Sequence, residues 1–365
     1  MEILRFSMND PESYGLPRVK IPDDCWRNGM VVRMPNHLGD AVMALPALLA
    51  LSKVIPAPCG LFVVAPEMYR DFYAAIPQVG VFIGLPKAHA NWPLHKIREV
   101  RRLRAGVGVF FNNSPRDVIA MRLAGVKKLY GAAARGRSIL LTKGFKLKRQ
   151  QIPGVRAEEH LCARCLAIAM ALGAPRWEGT LPEFSFPRNG AESREPIWSW
   201  CEHPKMLLLG PGAAYGDAKC YDSANYNQLA RWWVERGGVV VVAGGKNEVG
   251  TGDAVCAGIP REKCVNLCGK TDLQELMMLI RFSKFMICND SGIMHLGAAL
   301  GKPGIAVFGS TDPTATGPIS DKWLCISDRV PCSPCFEHVC PKGHKECMKR
   351  VSVEFIIDEL KKLSF

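Results

Sequence analysis

Short apolar runs recur along the chain, separated by longer stretches of helical period. The first series is Met30 to Met34, Leu61 to Ala65, Val81 to Gly84 and Val107 to Phe111. Strand-length runs alternating with helical stretches predict a parallel sheet with helical crossovers. A second series starts at Met206, with Leu207 to Leu209, Val239 to Val242, Phe285 to Cys288 and Ile305 to Phe308, and predicts a second sheet of the same kind.

Between the two series, Gly173 to Pro204 is rich in proline, glycine and charge, and Pro175, Pro182, Pro187 and Pro196 break any regular pattern. The domain boundary is placed there. The expected fold class is α/β, with two Rossmann-like domains over residues 1–185 and 186–365. Ligands of open parallel sheets bind beyond the carboxyl ends of the strands, so the chemistry is expected in a central cleft faced by both sheets. Val351 to Leu363, with Phe355, Ile356, Leu360 and Leu363 at helical spacing, predicts an amphipathic helix closing the second domain.

With 365 residues, 48% hydrophobic and 22% charged, the chain can bury two cores. Its formal net charge of +13 attracts anions: nucleic acid, acidic lipid or a phosphorylated substrate. The densest basic run, Arg98, Arg101, Arg102 and Arg104, lacks the interleaved aromatics of a single-strand nucleic-acid platform and reads as a solvated helix face, so no nucleic-acid partner is expected. Glu2, Asp10, Glu12, Asp23 and Asp24 near the start do not make a secretion signal. The best apolar stretch, Ala41 to Ile55, contains Pro46, Ser52 and Lys53 and is too short to span a bilayer, so membrane contact would be peripheral. Fifteen cysteines in a long chain without an export signal are expected to be mostly reduced thiols, many of them buried, in a cytoplasmic protein.

Three loops carry candidate chemistry. Pro35-Asn36-His37-Leu38-Gly39-Asp40 forms a strand-to-helix turn, where Gly39 offers unusual backbone angles and Asp40 either caps the helix or projects into the cleft. Asn289-Asp290-Ser291-Gly292-Ile293-Met294-His295 opens a helix whose free N–H groups suit a diphosphate, with Ser291 and His295 as added donors; a well-capped structural helix is the alternative. Gly210-Pro211-Gly212-Ala213-Ala214-Tyr215 and Lys219 let backbone and an ammonium approach a phosphate, although a loop lysine is ordinarily just solvated. Neither a G-x-G-x-x-G after the first strand nor a Walker A loop is present, which disfavours a dehydrogenase or P-loop enzyme.

Together these segments resemble the lipopolysaccharide heptosyltransferases, closest to the heptosyltransferase II type. Leu38-Gly39-Asp40-Ala41-Val42-Met43-Ala44-Leu45-Pro46-Ala47-Leu48 resembles the family's N-terminal motif. Asn289 to Leu296, continuing through Phe308-Gly309-Ser310-Thr311-Asp312-Pro313, resembles its C-terminal one. The resemblance implies a glycosyltransferase B fold, an acceptor-binding first domain and an ADP-heptose-binding second domain. It implies inverting heptose transfer to the phosphorylated lipid A core of lipopolysaccharide at the cytoplasmic face of the inner membrane, with no catalytic cofactor. Asp40 matches the catalytic base; Lys219, Asp290, Ser291, Gly292 and His295 match donor-binding positions, and Glu248 matches a nucleoside-holding one, where a solvated loop charge is the alternative. The chain departs from the family pattern at Pro35-Asn36-His37 and at Cys220-Tyr221-Asp222.

Cys332, Cys335, Cys340 and Cys347, with His338 and His344 between them, supply enough soft ligand for a structural zinc or iron, against thiols merely packed in a loop. Similar cysteines occur in heptosyltransferase II-like sequences, and a related branch that glycosylates autotransporters holds iron this way. Two other functions remain open: heptosylation of a protein serine or threonine, and a non-catalytic nucleotide-sugar-binding module whose Asp40 only caps a helix.

Overall fold

The computed structural model describes residues 1–8, 10–86, 90–147, 159–185, 195–213 and 216–364. They form two compact units: Met8–Gln150 with Glu159–Phe186, here the N-terminal unit, and Met1–Ser7 with Pro187–Phe365, the C-terminal unit. The chain opens with a short strand, β1 (Glu2–Leu4), that belongs to the C-terminal unit.

The N-terminal unit then runs β2 (Gly29–Arg33), α1 (Leu38–Met43), α2 (Leu45–Ser52), β3 (Gly60–Pro66), α3 (Arg70–Ala74), β4 (Val81–Leu85), α4 (Leu94–Arg102), β5 (Val107–Phe110), α5 (Pro115–Leu123), β6 (Lys128–Ala132), β7 (Lys143–Phe145) and α6 (Leu161–Ala171). The strand order is β4-β3-β2-β5-β6-β7, with every pairing parallel. The apolar run from Ala41 becomes two buried helices because Pro46 falls in the first turn of α2, where its missing N–H has no helical partner to lose. Both pack with α6. Val31, Phe62 and Val64 pack instead against Ile97 and Val100 of α4 and Val118 and Met121 of α5. Each such aliphatic contributes about 1.5–3 kcal/mol on full burial.

The C-terminal unit contains α7 (Glu195–Cys201), β8 (Met206–Gly210), α8 (Ser223–Val234), β9 (Val239–Val242), α9 (Val249–Cys256), β10 (Cys264–Asn266), α10 (Leu273–Phe282), β11 (Phe285–Asn289), α11 (Gly292–Ala299), β12 (Gly304–Phe308), α12 (Pro313–Thr316), β13 (Trp323–Ser327), α13 (Glu346–Lys349) and α14 (Val353–Ser364). The order is β1-β13-β12-β11-β8-β9-β10, parallel throughout except for β1. Both units are thus the α/β, parallel-sheet architecture that the hydrophobic pattern predicts.

Strands β1, β6, β7, β10 and β13 are additions to that prediction. Three of them are only three residues long and β6 carries Lys128 and Gly131, so these four present no long apolar run; β13, Trp323-Leu324-Cys325-Ile326-Ser327, does present one and is missed by the sequence reading. The first seven residues lie with the second sheet because β1 covers the free edge of β13. Arg329 holds Glu2 at 3.2 Å and Arg5 donates to the Asp321 carbonyl at 3.0 Å. In α14, Ile356 and Leu360 are fully buried, whereas Leu363 is 38% exposed and lies outside the core. No helix among the described residues is long and apolar enough to cross a membrane.

Candidate active site

In the N-terminal unit, β2 ends at Arg33 and Met34-Pro35-Asn36-His37 carries the chain into α1. His37 occupies the N-cap, which puts Asp40 at the third helical position, half-buried, in the first turn. Asp40 is therefore not the N-cap residue itself, and Gly39 is an ordinary helical residue, so the unusual backbone angles expected of it are not used. The preceding loop is held from below. Arg33, fully buried, donates Nε to Asp117 Oδ2 at 2.7 Å, Nη1 to the Met34 carbonyl at 2.5 Å and Nη2 to Asn36 Oδ1 at 2.6 Å. Trp92 Nε1 donates to the other Asp117 oxygen at 3.0 Å, and Asn112 Nδ2 to the first. Burial pulls the Arg33 guanidinium down from its ordinary range while Asp117 opposes that shift. Tyr69 donates its hydroxyl to the Asn36 carbonyl at 2.9 Å, and burial, followed by the Asp40 charge, pushes that hydroxyl up to about 12. None of Arg33, Asp117, Trp92 and Tyr69 is singled out by sequence; an arginine inside an otherwise apolar strand is the one available signal.

In the C-terminal unit the candidate residues converge at the carboxyl ends of adjacent strands. Lys219 ends a tight turn after β8 and is buried. Its Nζ lies 2.6 Å from Asp290 Oδ2, so it is a paired interior charge rather than a solvated loop lysine. The same carboxylate oxygen accepts from Thr311 Oγ1 at 2.6 Å and Thr316 Oγ1 at 3.1 Å, and His295 Nε2 stands 4.0 Å from the other oxygen. Asp290 thus gathers Lys219, Thr311, Thr316 and His295; the two threonines are missed by sequence reasoning.

Asn289 locks the strand end: its Oδ1 accepts from the Tyr221 amide at 3.1 Å and the Tyr226 hydroxyl at 3.0 Å, and its Nδ2 donates to the Pro211 carbonyl at 2.5 Å. Ser291 is the N-cap of α11 in extended conformation, yet its side chain makes no capping bond. Its buried Oγ has no hydrogen-bond partner among the described residues, and neither does Ser310 Oγ beyond the neighbouring strand β12. The Ser291 hydroxyl, buried without a partner at a helix start whose first amides have no intrahelical acceptor, is a donor set suited to an anion.

Glu248 accepts from the Gly245 amide at 2.6 Å and is half-buried. A side chain at Gly212 would fall 1.9 Å from Glu248 Oε1, so the loop after β8 and this carboxylate touch because position 212 has no Cβ. Of the loop that the sequence singles out, Ala214 and Tyr215 lie outside the described residues.

All fifteen cysteines are free. Burial, followed by the charges of Cys335, Cys332 and Cys340, pushes the Cys347 thiol up to about 11. Among the described residues, however, no group of three or more His, Cys, Asp or Glu side chains is placed to hold a metal ion.

Residues 97–346 match the model of glycosyltransferase family 9 (heptosyltransferase). The chain is similar to lipooligosaccharide heptosyltransferase 2 of Campylobacter jejuni, with 32% identity over 348 residues, covering 91% of this chain and 98% of the relative. In fold it is similar to the ADP-heptose lipopolysaccharide heptosyltransferase II of Escherichia coli, with TM-score 0.74, 23% identity and coverage of 92% and 98%. The iron-containing dodecameric glycosyltransferase TibC of enterotoxigenic E. coli shares the fold more distantly, with TM-score 0.56, 15% identity and coverage of 94% and 78%. The chain belongs to glycosyltransferase family 9, the heptosyltransferase family.

Proposed function

We propose that the protein transfers heptose, with inversion, from ADP-heptose to the inner core of lipopolysaccharide, at the cytoplasmic face of the inner membrane. The observation that carries the reading is the unsatisfied Ser291 hydroxyl at the start of α11, backed by the buried Lys219–Asp290 ion pair. An ADP diphosphate supplies the acceptor this hydroxyl lacks. Asp290, with His295, belongs to the donor-binding loop, and it also fixes Lys219, and with it the field at the diphosphate.

Asp40 takes the proton of an acceptor hydroxyl as that oxygen forms a bond to the anomeric carbon of the heptose. The bond from that carbon to the β-phosphate oxygen breaks, and ADP leaves with the electron pair through an oxocarbenium-like transition state. Lys219, the α11 amides and Ser291 meet the charge that grows on the diphosphate. Glu248 holds the nucleoside side of the donor and Gly292 keeps the helix start open.

Two finer points belong to the same reading. The basic chain contacts the anionic membrane surface peripherally, where a phosphorylated lipid A core acceptor resides. Cys332, Cys335, Cys340 and Cys347 hold a structural zinc or iron, supported by their soft donor set and close spacing in the sequence. Metal content of the purified chain, compared with Cys335→Ser, tests the latter.

The transfer itself is tested by incubating the protein with ADP-heptose and a heptose-bearing lipid A core acceptor, following ADP release and acceptor mass. A gain of one heptose, lost in Asp40→Asn while donor binding persists, is the expected result. Donor binding without transfer to lipid moves the search to protein acceptors. No donor binding overturns the reading.

A further inference from the structure

The positive charge of this chain is concentrated. Residues 94–146 hold thirteen Lys and Arg against two acidic residues, an excess of eleven out of the net thirteen charges of the whole chain. Both acids are already engaged, Glu99 with Lys96 at 3.0 Å and the buried Asp117 with Arg33 at 2.7 Å.

The helices of this segment build one outer layer of the N-terminal unit. Helices α4 and α5 lie side by side, with Arg101 Nη2 donating to the Leu123 carbonyl at 2.6 Å. A tight turn at Arg137–Leu140 is clipped to α5 by Arg122 Nε on the Leu140 carbonyl at 3.2 Å. The inner sides of both helices are buried on the sheet. The outer side of α5 nevertheless carries exposed aliphatic side chains among its arginines. Ile119 and Leu123, four residues apart on one stripe, are 46% and 56% exposed, and Ile139 on the clipped turn is 90% exposed. Exposed Arg98, Arg102 and Arg116 stand on the same two helices. Exposed aliphatic side chains grouped on one face call for a cover, and the arginines around them fix the sign of that cover.

We propose that the outer layer of α4, α5 and the Arg137–Leu140 turn docks on an anionic lipid bilayer. The guanidinium groups meet headgroup phosphates, and Ile119, Leu123 and Ile139 enter the interfacial zone. The inference rests on the peripheral-membrane reading above and adds the face that makes the contact. Exposed aliphatic side chains among arginines suit lipid; a single-stranded nucleic acid calls for exposed aromatic rings, and the exposed large apolar residues of this layer are aliphatic.

The test is flotation of the full chain with vesicles of phosphatidylglycerol and phosphatidylethanolamine, against vesicles of phosphatidylcholine alone. Two variants run beside it: Ile119→Ser with Leu123→Ser and Ile139→Ser, and Arg98→Glu with Arg102→Glu and Arg116→Glu. All six side chains are exposed, so thermal melts should be unchanged, which separates lost docking from lost fold. The wild type should float with the anionic vesicles only, and each variant should bind them roughly tenfold or more weakly. Wild-type binding that both variants retain overturns this face and leaves the membrane reading standing. A wild type that floats with no vesicle overturns both. Tighter binding to single-stranded oligonucleotide than to vesicles, lost in the arginine variant, overturns the proposal in favour of nucleic acid.

Discussion

Lys219 Nζ lies 2.6 Å from Asp290 Oδ2, with both side chains buried and two threonine hydroxyls on the same carboxylate oxygen. Removing the lysine leaves a buried carboxylate without its counter-charge. Lys219→Met should therefore destabilise the C-terminal unit by about 3–5 kcal/mol, measured by urea unfolding. Adding Asp290→Asn removes the orphaned charge and should return most of that stability. It should not return transfer, because the ammonium facing the diphosphate is still missing. Recovery of both together would mean that the pair is structural only.

What the sequence makes legible here depends on whether a signal is local. Runs such as Val239–Val242 and Phe285–Cys288 declare buried parallel strands by composition alone, and the long motif from Asn289 to Pro313 lies within the stretch that matches the family. The pairing of β1 with β13 joins residues more than three hundred positions apart, and nothing in Glu2-Ile3-Leu4 announces it. The same holds for the site. Asp290 is conspicuous beside a strand end, but its partners Thr311 and Thr316 follow the next strand and become visible only once β11 and β12 are adjacent. Arg33 reads as a flaw in an apolar run until Asp117, eighty-four residues later, is placed 2.7 Å from it.

The unsatisfied hydroxyl of Ser291 makes an opposite kind of prediction. A buried donor without a partner already costs the free protein stability, so Ser291→Ala should leave the melting temperature unchanged or slightly raised. If ADP supplies the missing acceptor, the same substitution should weaken ADP binding by roughly tenfold, the equivalent of one hydrogen bond to a charged group. Titration calorimetry with ADP reads this directly; unaltered affinity would remove Ser291 from the donor site.

Asp117 touches neither proposed substrate, yet it anchors the arginine that ties down Asn36 and the loop into α1. Asp117→Asn should lower stability by about 3–5 kcal/mol, since Arg33 is then buried without a counter-charge. It should also lower kcat, by roughly a hundredfold for a displacement of Asp40 on the ångström scale, with donor KM nearly unchanged. A fall in stability with kcat intact would confine Asp117 to the core.

Tyr69 provides a pH signature. Its hydroxyl is held at about 12 by burial and the Asp40 charge, above the ordinary value of 10. Below pH 10 the group is protonated whether the chain is folded or not. Between pH 10 and 12 the unfolded chain loses this proton and the folded one keeps it, so stability falls as pH rises through that window. Denaturation midpoints across it should drop, and Tyr69→Phe should flatten part of the slope. Absorbance at 295 nm follows the ionisation itself.

Gly212 and Glu248 give the sharpest test of the nucleoside assignment, because one can be used to move the other. A methyl at position 212 would sit 1.9 Å from Glu248 Oε1, and the atom it meets is the end of a flexible side chain. Gly212→Ala should therefore swing the Glu248 carboxylate away and break its bond to the Gly245 amide without cracking the backbone. If Glu248 holds the ribose or base of ADP, Gly212→Ala and Glu248→Ala should each weaken ADP binding, by roughly tenfold, and the double substitution should be no worse than either alone. Additive losses would mean that Gly212 approaches the nucleotide through its own backbone. Unchanged affinity in Glu248→Ala would reduce the carboxylate to a cap on the turn before α9.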